Sequence, residues 1–159
     1  MTDMKNYWDD KWANRFDDKG DVPSDFVLEI ARYIKDKNVK TILDLGCGAG
    51  RDSFYLHKLG YKITAQDISK EALKFLQNKT KDVEFICGDI QDFEFKKEKY
   101  DLILANLSLH FFNEETTKRI FSDIQSSLTP NGIFCFRSKS TKDPLFGKGK
   151  KIDEYTYID

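Results

Sequence analysis

A glycine-rich turn, Asp44-Leu45-Gly46-Cys47-Gly48-Ala49-Gly50, limits how this chain can fold more than any other feature. It follows Thr41-Ile42-Leu43, a β-branched apolar run that reads as a buried strand. Arg51 to Leu59 then read as a helix, with Phe54, Leu56 and Leu59 as candidate buried positions. The glycines thus occupy a strand-to-helix turn, where they permit φ > 0 and let backbone N–H groups approach a ligand closely. The following helix N-terminus adds partial positive charge. Together these features outline a nucleotide or nucleoside cofactor site.

Strands and helices alternate along the rest of the chain. Lys62-Ile63-Thr64-Ala65-Gln66 reads as a second strand ended by Asp67, and Val83 to Cys87 as a third ended by Gly88-Asp89-Ile90. Tyr100 to Ala105 reads as a fourth, and Ile133 to Phe136 as a fifth. The strand–helix units span 41–59, 62–79 and 83–106, with 88–99 mostly a charged loop. Ser69 and Asn113 can each cap a helix. The second of these helices carries Ile120, Phe121, Ile124 and Leu128 on one face, and Pro130-Asn131-Gly132 stops it. Upstream, Phe26, Val27, Ile30, Ala31 and Ile34 form one helical face, and Tyr7, Trp8, Trp12 and Phe16 recur at helical spacing.

This pattern predicts an α/β fold of three layers, a parallel sheet with helices on both faces. Right-handed crossovers and a reversal after the third strand give the order 3-2-1-4-5. The ligand crevice then lies at the carboxyl ends of strands one and four. Gly46 to Gly50, Asp67, Asp89 and Asn106 to His110 all fall at strand carboxyl ends. The chain reads as one domain over 1–159, with N-terminal helices (1–38), an α/β core (41–138) and an irregular tail (139–159).

Spacing narrows the cofactor. A dinucleotide fingerprint wants G-x-G-x-x-G, and the place of its third glycine is held by Arg51. The chain has G-x-G-x-G with Asp44 ahead of it. Asp67 lies 21 positions after Gly46, where an acidic residue can accept hydrogen bonds from ribose hydroxyls. Its plainer role is a helix cap, and Gly88-Asp89 is also ordinary turn chemistry.

These residues resemble motif I and its partners in the class I S-adenosylmethionine-dependent methyltransferases, a Rossmann-like family. Arg51-Asp52-Ser53 extends the likeness to small-molecule members of the tellurite-resistance and thiopurine type. The resemblance implies S-adenosylmethionine as cofactor, S-adenosylhomocysteine as product, and methyl transfer to a small-molecule acceptor. It places Asp44, Gly46, Cys47, Gly48, Gly50, Asp67 and Ile68 around the cofactor, with Asp89 at the adenine amino group and Ile90 beside the ring. Asp44 is expected to order the glycine loop, and Asn106 and Leu107 to line the crevice. In relatives an N-terminal Tyr-Trp segment closes over the cofactor, which here means Tyr7 and Trp8; simple packing of that helix is the other reading. Arg15 and Arg51 are candidates for the cofactor carboxylate or a substrate anion. His110 is the one nearby candidate base, with packing as its other role.

The remaining expectations are exclusions. The net charge is −1, and there is no basic stripe of the kind that neutralises phosphates. Methylases of exocyclic base amines carry an Asn/Asp-Pro-Pro-aromatic run, whereas here Asn106 is followed by Leu107 and Ser108. No nucleic-acid partner and no membrane partner are therefore expected, since no stretch approaches 18 apolar residues. Cys47, Cys87 and Cys135 lie in or beside predicted buried strands, an odd count that suggests reduced thiols and a cytoplasmic location. No Cys/His cluster has metal-ligand spacing. Only 21 residues follow Ser138, so the family's sixth and seventh strands are not expected on the sheet. The fifth strand is then an apolar edge that a homo-oligomer could cover. A domain that holds the cofactor without chemistry, or a truncated enzyme, is the alternative function.

Overall fold

The computed structural model describes residues 2–14, 22–151 and 157–158. Two helices lead in: α1 (Thr2–Ala13) and α2 (Asp25–Ile34). Then follow β1 (Thr41–Leu45), α3 (Arg51–Lys58), β2 (Lys62–Asp67), α4 (Lys70–Gln77), β3 (Glu84–Cys87), β4 (Tyr100–Asn106), α5 (Glu114–Ser127) and β5 (Leu128–Arg137). The five strands form one parallel sheet in the order β3-β2-β1-β4-β5, as the alternation predicts.

Alternation along the central strands explains the layers. Ile42, Leu102 and Leu104 join Val27, Ile30, Ala31 and Ile34 of α2, Leu56 of α3 and Leu76 of α4 in one core. Leu43, Leu45, Ile103 and Ala105 point to the other face and pack with Ile120 and Ile124 of α5. The helix starts follow the sequence: Ser69 Oγ accepts from Ala72 N and Asn113 Oδ1 from Thr116 N. Asp101 clips the amino ends of three strands, accepting from Lys40 N, Thr41 N and Thr129 Oγ1.

Four expectations need correction. Leu59 is the C-cap of α3 and is 51% exposed, because the helix ends one residue before the apolar face reaches it. Cys87 is exposed because β3 is an outer strand. The fifth strand begins before Ile133: Tyr100 pairs with Leu128 and Leu102 with Ile133, so the Pro-Asn-Gly run is taken up as a bulge inside β5. Asn131 accommodates it at φ +67°. The tail is not wholly irregular, since β6 (Lys150–Lys151) and β7 (Tyr157–Ile158) form a small antiparallel pair apart from the main sheet. Among the described residues no strand pairs with the outer side of β5. On the α5 face of this strand Phe134 and Phe136 stack beside Phe121, and Phe136 is 46% exposed.

Ile103 is fully buried at the centre of the β4 layer. We expect Ile103→Ala to cost about 2–5 kcal/mol in a urea titration. A loss well under 1 kcal/mol would mean that this layer is not packed as described.

Candidate functional site

Loops at the carboxyl edge of the sheet converge on one cavity of about 420 Å³. After β1 the wall is Gly46, Cys47, Gly48 and Arg51, and at the end of β2 it is Asp67 and Ile68. After β3 it is Asp89 and Ile90, and at the end of β4 Asn106 and Leu107. Asp44 and, from α1, Trp8 also line it. Twelve predicted residues, drawn from five segments of the chain, thus share one cavity.

The glycine loop is held from within. Gly46 N and Cys47 N both donate to Gln66 O, at 2.8 and 2.9 Å, and Gly50 N donates to Cys47 O at 3.0 Å. Gly48 N donates to Asp67 Oδ2 at 2.7 Å, while Asp67 Oδ1 accepts from Ser69 N. Four loop amides are therefore committed to the chain itself. This corrects the expectation that they approach a ligand: the end of β2 takes three of them and Cys47 O the fourth. Glycine is required at Gly46, whose φ is +70° and where a Cβ would come 2.4 Å from that of Ser108.

Two predicted residues lie outside the wall. Gly50, at φ +73°, packs the loop on α4, and a Cβ there would meet Leu76 at 2.5 Å. His110 sits in a short 3₁₀ turn (Leu109–Phe111) with its ring against Phe111 at 4.1 Å, and it does not line the cavity. Burial, with Lys139 nearby, pulls its pKa down to about 4, so near neutral pH the ring is uncharged and a weak base. Its Nδ1 is buried without a hydrogen-bond partner among the described residues. The structure therefore favours the packing role over the catalytic one. Arg15 and Phe16 lie outside the described residues.

Other candidates carry structural duties as well. Asp89 caps the turn after β3, accepting from Gln91 N at 2.9 Å. Asp44 does not bond the glycine loop; it accepts from Ser53 Oγ at 2.6 Å and so holds the first turn of α3. Leu107 adopts φ +61°, an uncommon left-handed conformation, and its N donates to Arg137 O at 2.8 Å. The helix α1 both packs and covers: Trp8 meets Phe111 edge-on at 5.6 Å, and Trp12 lies against Gly48.

Sequence reasoning assigned no role to Asp52 or Arg137. Asp52 is buried and accepts from Ser24 N, Ser24 Oγ and Asn106 Nδ2, at 2.8, 2.7 and 3.0 Å. Arg137 Nε donates to Asn106 Oδ1 at 3.0 Å. The one available signal was position: Arg137 directly follows the apolar run of the fifth strand, at its carboxyl end.

Residues 42–132 match the family model described as a methyltransferase domain. The chain belongs to this family. It is similar to a probable S-adenosyl-L-methionine-dependent methyltransferase, TehB, of Haemophilus influenzae, at 34% identity over 57% of the chain and 33% of that protein. It is also similar to trans-aconitate 2-methyltransferase of Escherichia coli, at 29% identity over 67% of the chain and 42% of that enzyme. A crystal structure of a Pyrococcus horikoshii protein superposes with a TM-score of 0.65 at 27% identity, over 75% of this chain and 54% of that one. The chain therefore spans about a third to two-fifths of the length of these curated relatives. This is a methyltransferase domain with the class I fold, and the Haemophilus relative is named as dependent on S-adenosylmethionine as its cofactor. Among the described residues, no helix is long and apolar enough to cross a membrane.

The cavity chemistry suits that cofactor better than a phosphate-bearing one. Four amides of the loop, those of Gly46, Cys47, Gly48 and Gly50, are already bonded within the chain, and the acids Asp44, Asp52, Asp67 and Asp89 line the wall. Such a wall repels a pyrophosphate and attracts a sulfonium and an ammonium group.

Asp44 carries the clearest electrostatic cost. Burial pushes its pKa up to about 7 against the Ser53 bond, and Asp52 and Asp67 push the same way. The folded state holds this proton more tightly than the unfolded chain, where an Asp titrates near 4. The contribution to stability is thus complete below pH 4 and lost as the pH rises through 7. We expect Asp44→Asn, which still accepts from Ser53, to be more stable than wild type at pH 8 by on the order of 1–3 kcal/mol. The two should converge towards pH 4 in urea titrations; parallel pH profiles would contradict this.

Proposed function

We propose that this domain binds S-adenosylmethionine in the cavity and directs its methyl group to a small-molecule acceptor. The convergence of loops from four strands on one acid-lined cavity, covered by the aromatic residues of α1, carries the reading. Asp67 would meet the ribose hydroxyls with the lone pairs left after its backbone bonds. Asp89 would meet the adenine amino group, with Ile68 and Ile90 against the ring. Asp44 and Asp52 would face the cationic methionine end beneath the glycine loop.

Bound there, S-adenosylmethionine supplies a methyl group already activated by the sulfonium. The chain's own residues need only hold an acceptor in line and keep water out. Trp8, Trp12, Phe111 and Phe112 provide the dry wall. His110 is not needed as a base for a soft acceptor, and its position and low pKa argue against that use. A small acceptor is supported by the net charge of −1, by the missing Pro-Pro-aromatic run and by the likeness to the trans-aconitate enzyme. A thiol or other soft acceptor offered in a screen with S-adenosylmethionine separates an enzyme from a domain that only holds the cofactor.

Calorimetric titration should show binding of S-adenosylmethionine and S-adenosylhomocysteine and little binding of NAD; the reverse order would overturn the proposal. Asp89→Ala should weaken S-adenosylhomocysteine binding by about 1–3 kcal/mol, the scale for losing a hydrogen bond to a charged group. Unchanged affinity would remove Asp89 from the site.

The proposal includes a homo-oligomer formed through the outer edge of β5. Support comes from the unpaired edge and from exposed Phe136. Sedimentation velocity should show a mass that rises with concentration and falls back in Phe136→Lys. A monomer at every concentration would refute it.

A further inference from the structure

We infer that the methyl acceptor carries a planar anionic group of the carboxylate class, held by Arg137 at the β4–β5 end of the cavity. The inference rests on the cofactor placement proposed above.

Position comes first. Arg137 lines the cavity and is the register partner of Asn106 across β4 and β5. Asp67 and Asp89, the proposed ribose and adenine contacts, lie at the ends of β2 and β3 on the other side of the sheet. The glycine loop after β1 lies between them. A cofactor laid from β3 towards β1 presents its methyl group to the β4–β5 side, where Arg137 stands.

The side chain is also held in place. Nε donates to Asn106 Oδ1 at 3.0 Å, and the guanidinium carbon lies 5.5 Å from the Phe26 ring centre. Asn106 is itself fixed, because its Nδ2 donates to Asp52 Oδ2 at 3.0 Å and to Ser24 Oγ at 3.3 Å. This chain of bonds uses one of the five guanidinium N–H donors. Among the described residues no carboxylate forms an ion pair with Arg137, and its terminal amino groups make no hydrogen bond. Asp52, the acid in this network, is occupied by three other donors. Arg51, the neighbouring cation on the wall, lies 3.9 Å from Asp52. A pinned guanidinium with its terminal donors open fits a planar anion by two parallel bonds.

The rest of the wall sharpens the choice. Its carboxylates disfavour an anion elsewhere, while Leu107, Phe111 and Phe112 offer apolar contact. The acceptor class is therefore an apolar body with one carboxylate-like handle. Arg137 acts here as a binding and orienting residue and takes no part in bond making.

The test uses the full chain saturated with S-adenosylhomocysteine, titrated with acetate and benzoate and, in parallel, with acetamide and benzamide. Calorimetry reads affinity, and the Arg Nε–H resonance assigned through Arg137→Gln reads location. The acids should bind at least tenfold more tightly than the amides and shift that resonance. Arg137→Gln should abolish the preference, leave the S-adenosylhomocysteine affinity within about twofold, and keep the wild-type melting profile; Arg137→Lys should restore part of it. No difference between acids and amides would overturn the inference. So would a tenfold loss of S-adenosylhomocysteine affinity in Arg137→Gln, which would assign Arg137 to the cofactor's own carboxylate. Failure of the wild-type chain to bind S-adenosylhomocysteine would instead refute the proposed function, so the two failures are told apart.

Discussion

The site depends on a clasp between two neighbouring strands. The end of β2 supplies a carbonyl at Gln66 and a carboxylate at Asp67, and these take three successive amides of the loop after β1. A neutral hydrogen bond is worth about 1 kcal/mol net and one to a charged group about 1.5–3 kcal/mol. Their larger effect is geometric. With its amides tied to β2, the loop turns over the sheet edge instead of closing round an anion. Asp67 is buried, so the bond to Gly48 N also satisfies a carboxylate that would otherwise be costly.

That clasp fixes the electrical character of the cavity. In a phosphate-binding turn the free amides make the loop electropositive. Here four of those amides are spent, and the cavity wall carries a set of acids with raised proton affinity at Asp44 and Asp67. The same strand–turn–helix topology thereby suits the cationic ligand proposed above. Two cations, Arg51 and Arg137, also line the cavity, each close to the buried Asp52: Arg51 directly and Arg137 through Asn106.

Features governed by local chemistry were legible in the sequence. The glycine turn, the caps at Ser69 and Asn113, the strand order and the gathering of strand ends all follow from residue type and period. What stayed hidden depends on partners remote in the chain. Asp52 meets Ser24 and Asn106, which lie 28 and 54 positions away, and Arg137 meets Asn106 at 31. No pattern within a window reveals such a network. His110 shows the opposite failing: the residue type suggested chemistry, but the ring packs against Phe111 and is not part of the cavity wall. In the Pro130-Asn131-Gly132 segment, turn chemistry was read correctly, but pairing of Leu128 with Tyr100 turned it into a bulge.

The cover over the cavity is attached differently from the rest. None of residues 4–14 is fully buried, and α1 is joined to the body through Asp9, which accepts from Ser69 Oγ and Glu71 N, and through its two tryptophans. Ser69 keeps its bond to Ala72 N whether or not Asp9 is present. Letting a bound molecule leave thus requires only that one helix swing aside, with no strand or buried layer disturbed. The proposed cofactor site is thus roofed by a helix that shares no buried layer with the sheet, and lifting it breaks the contacts of two indole rings and one carboxylate while the core stays intact.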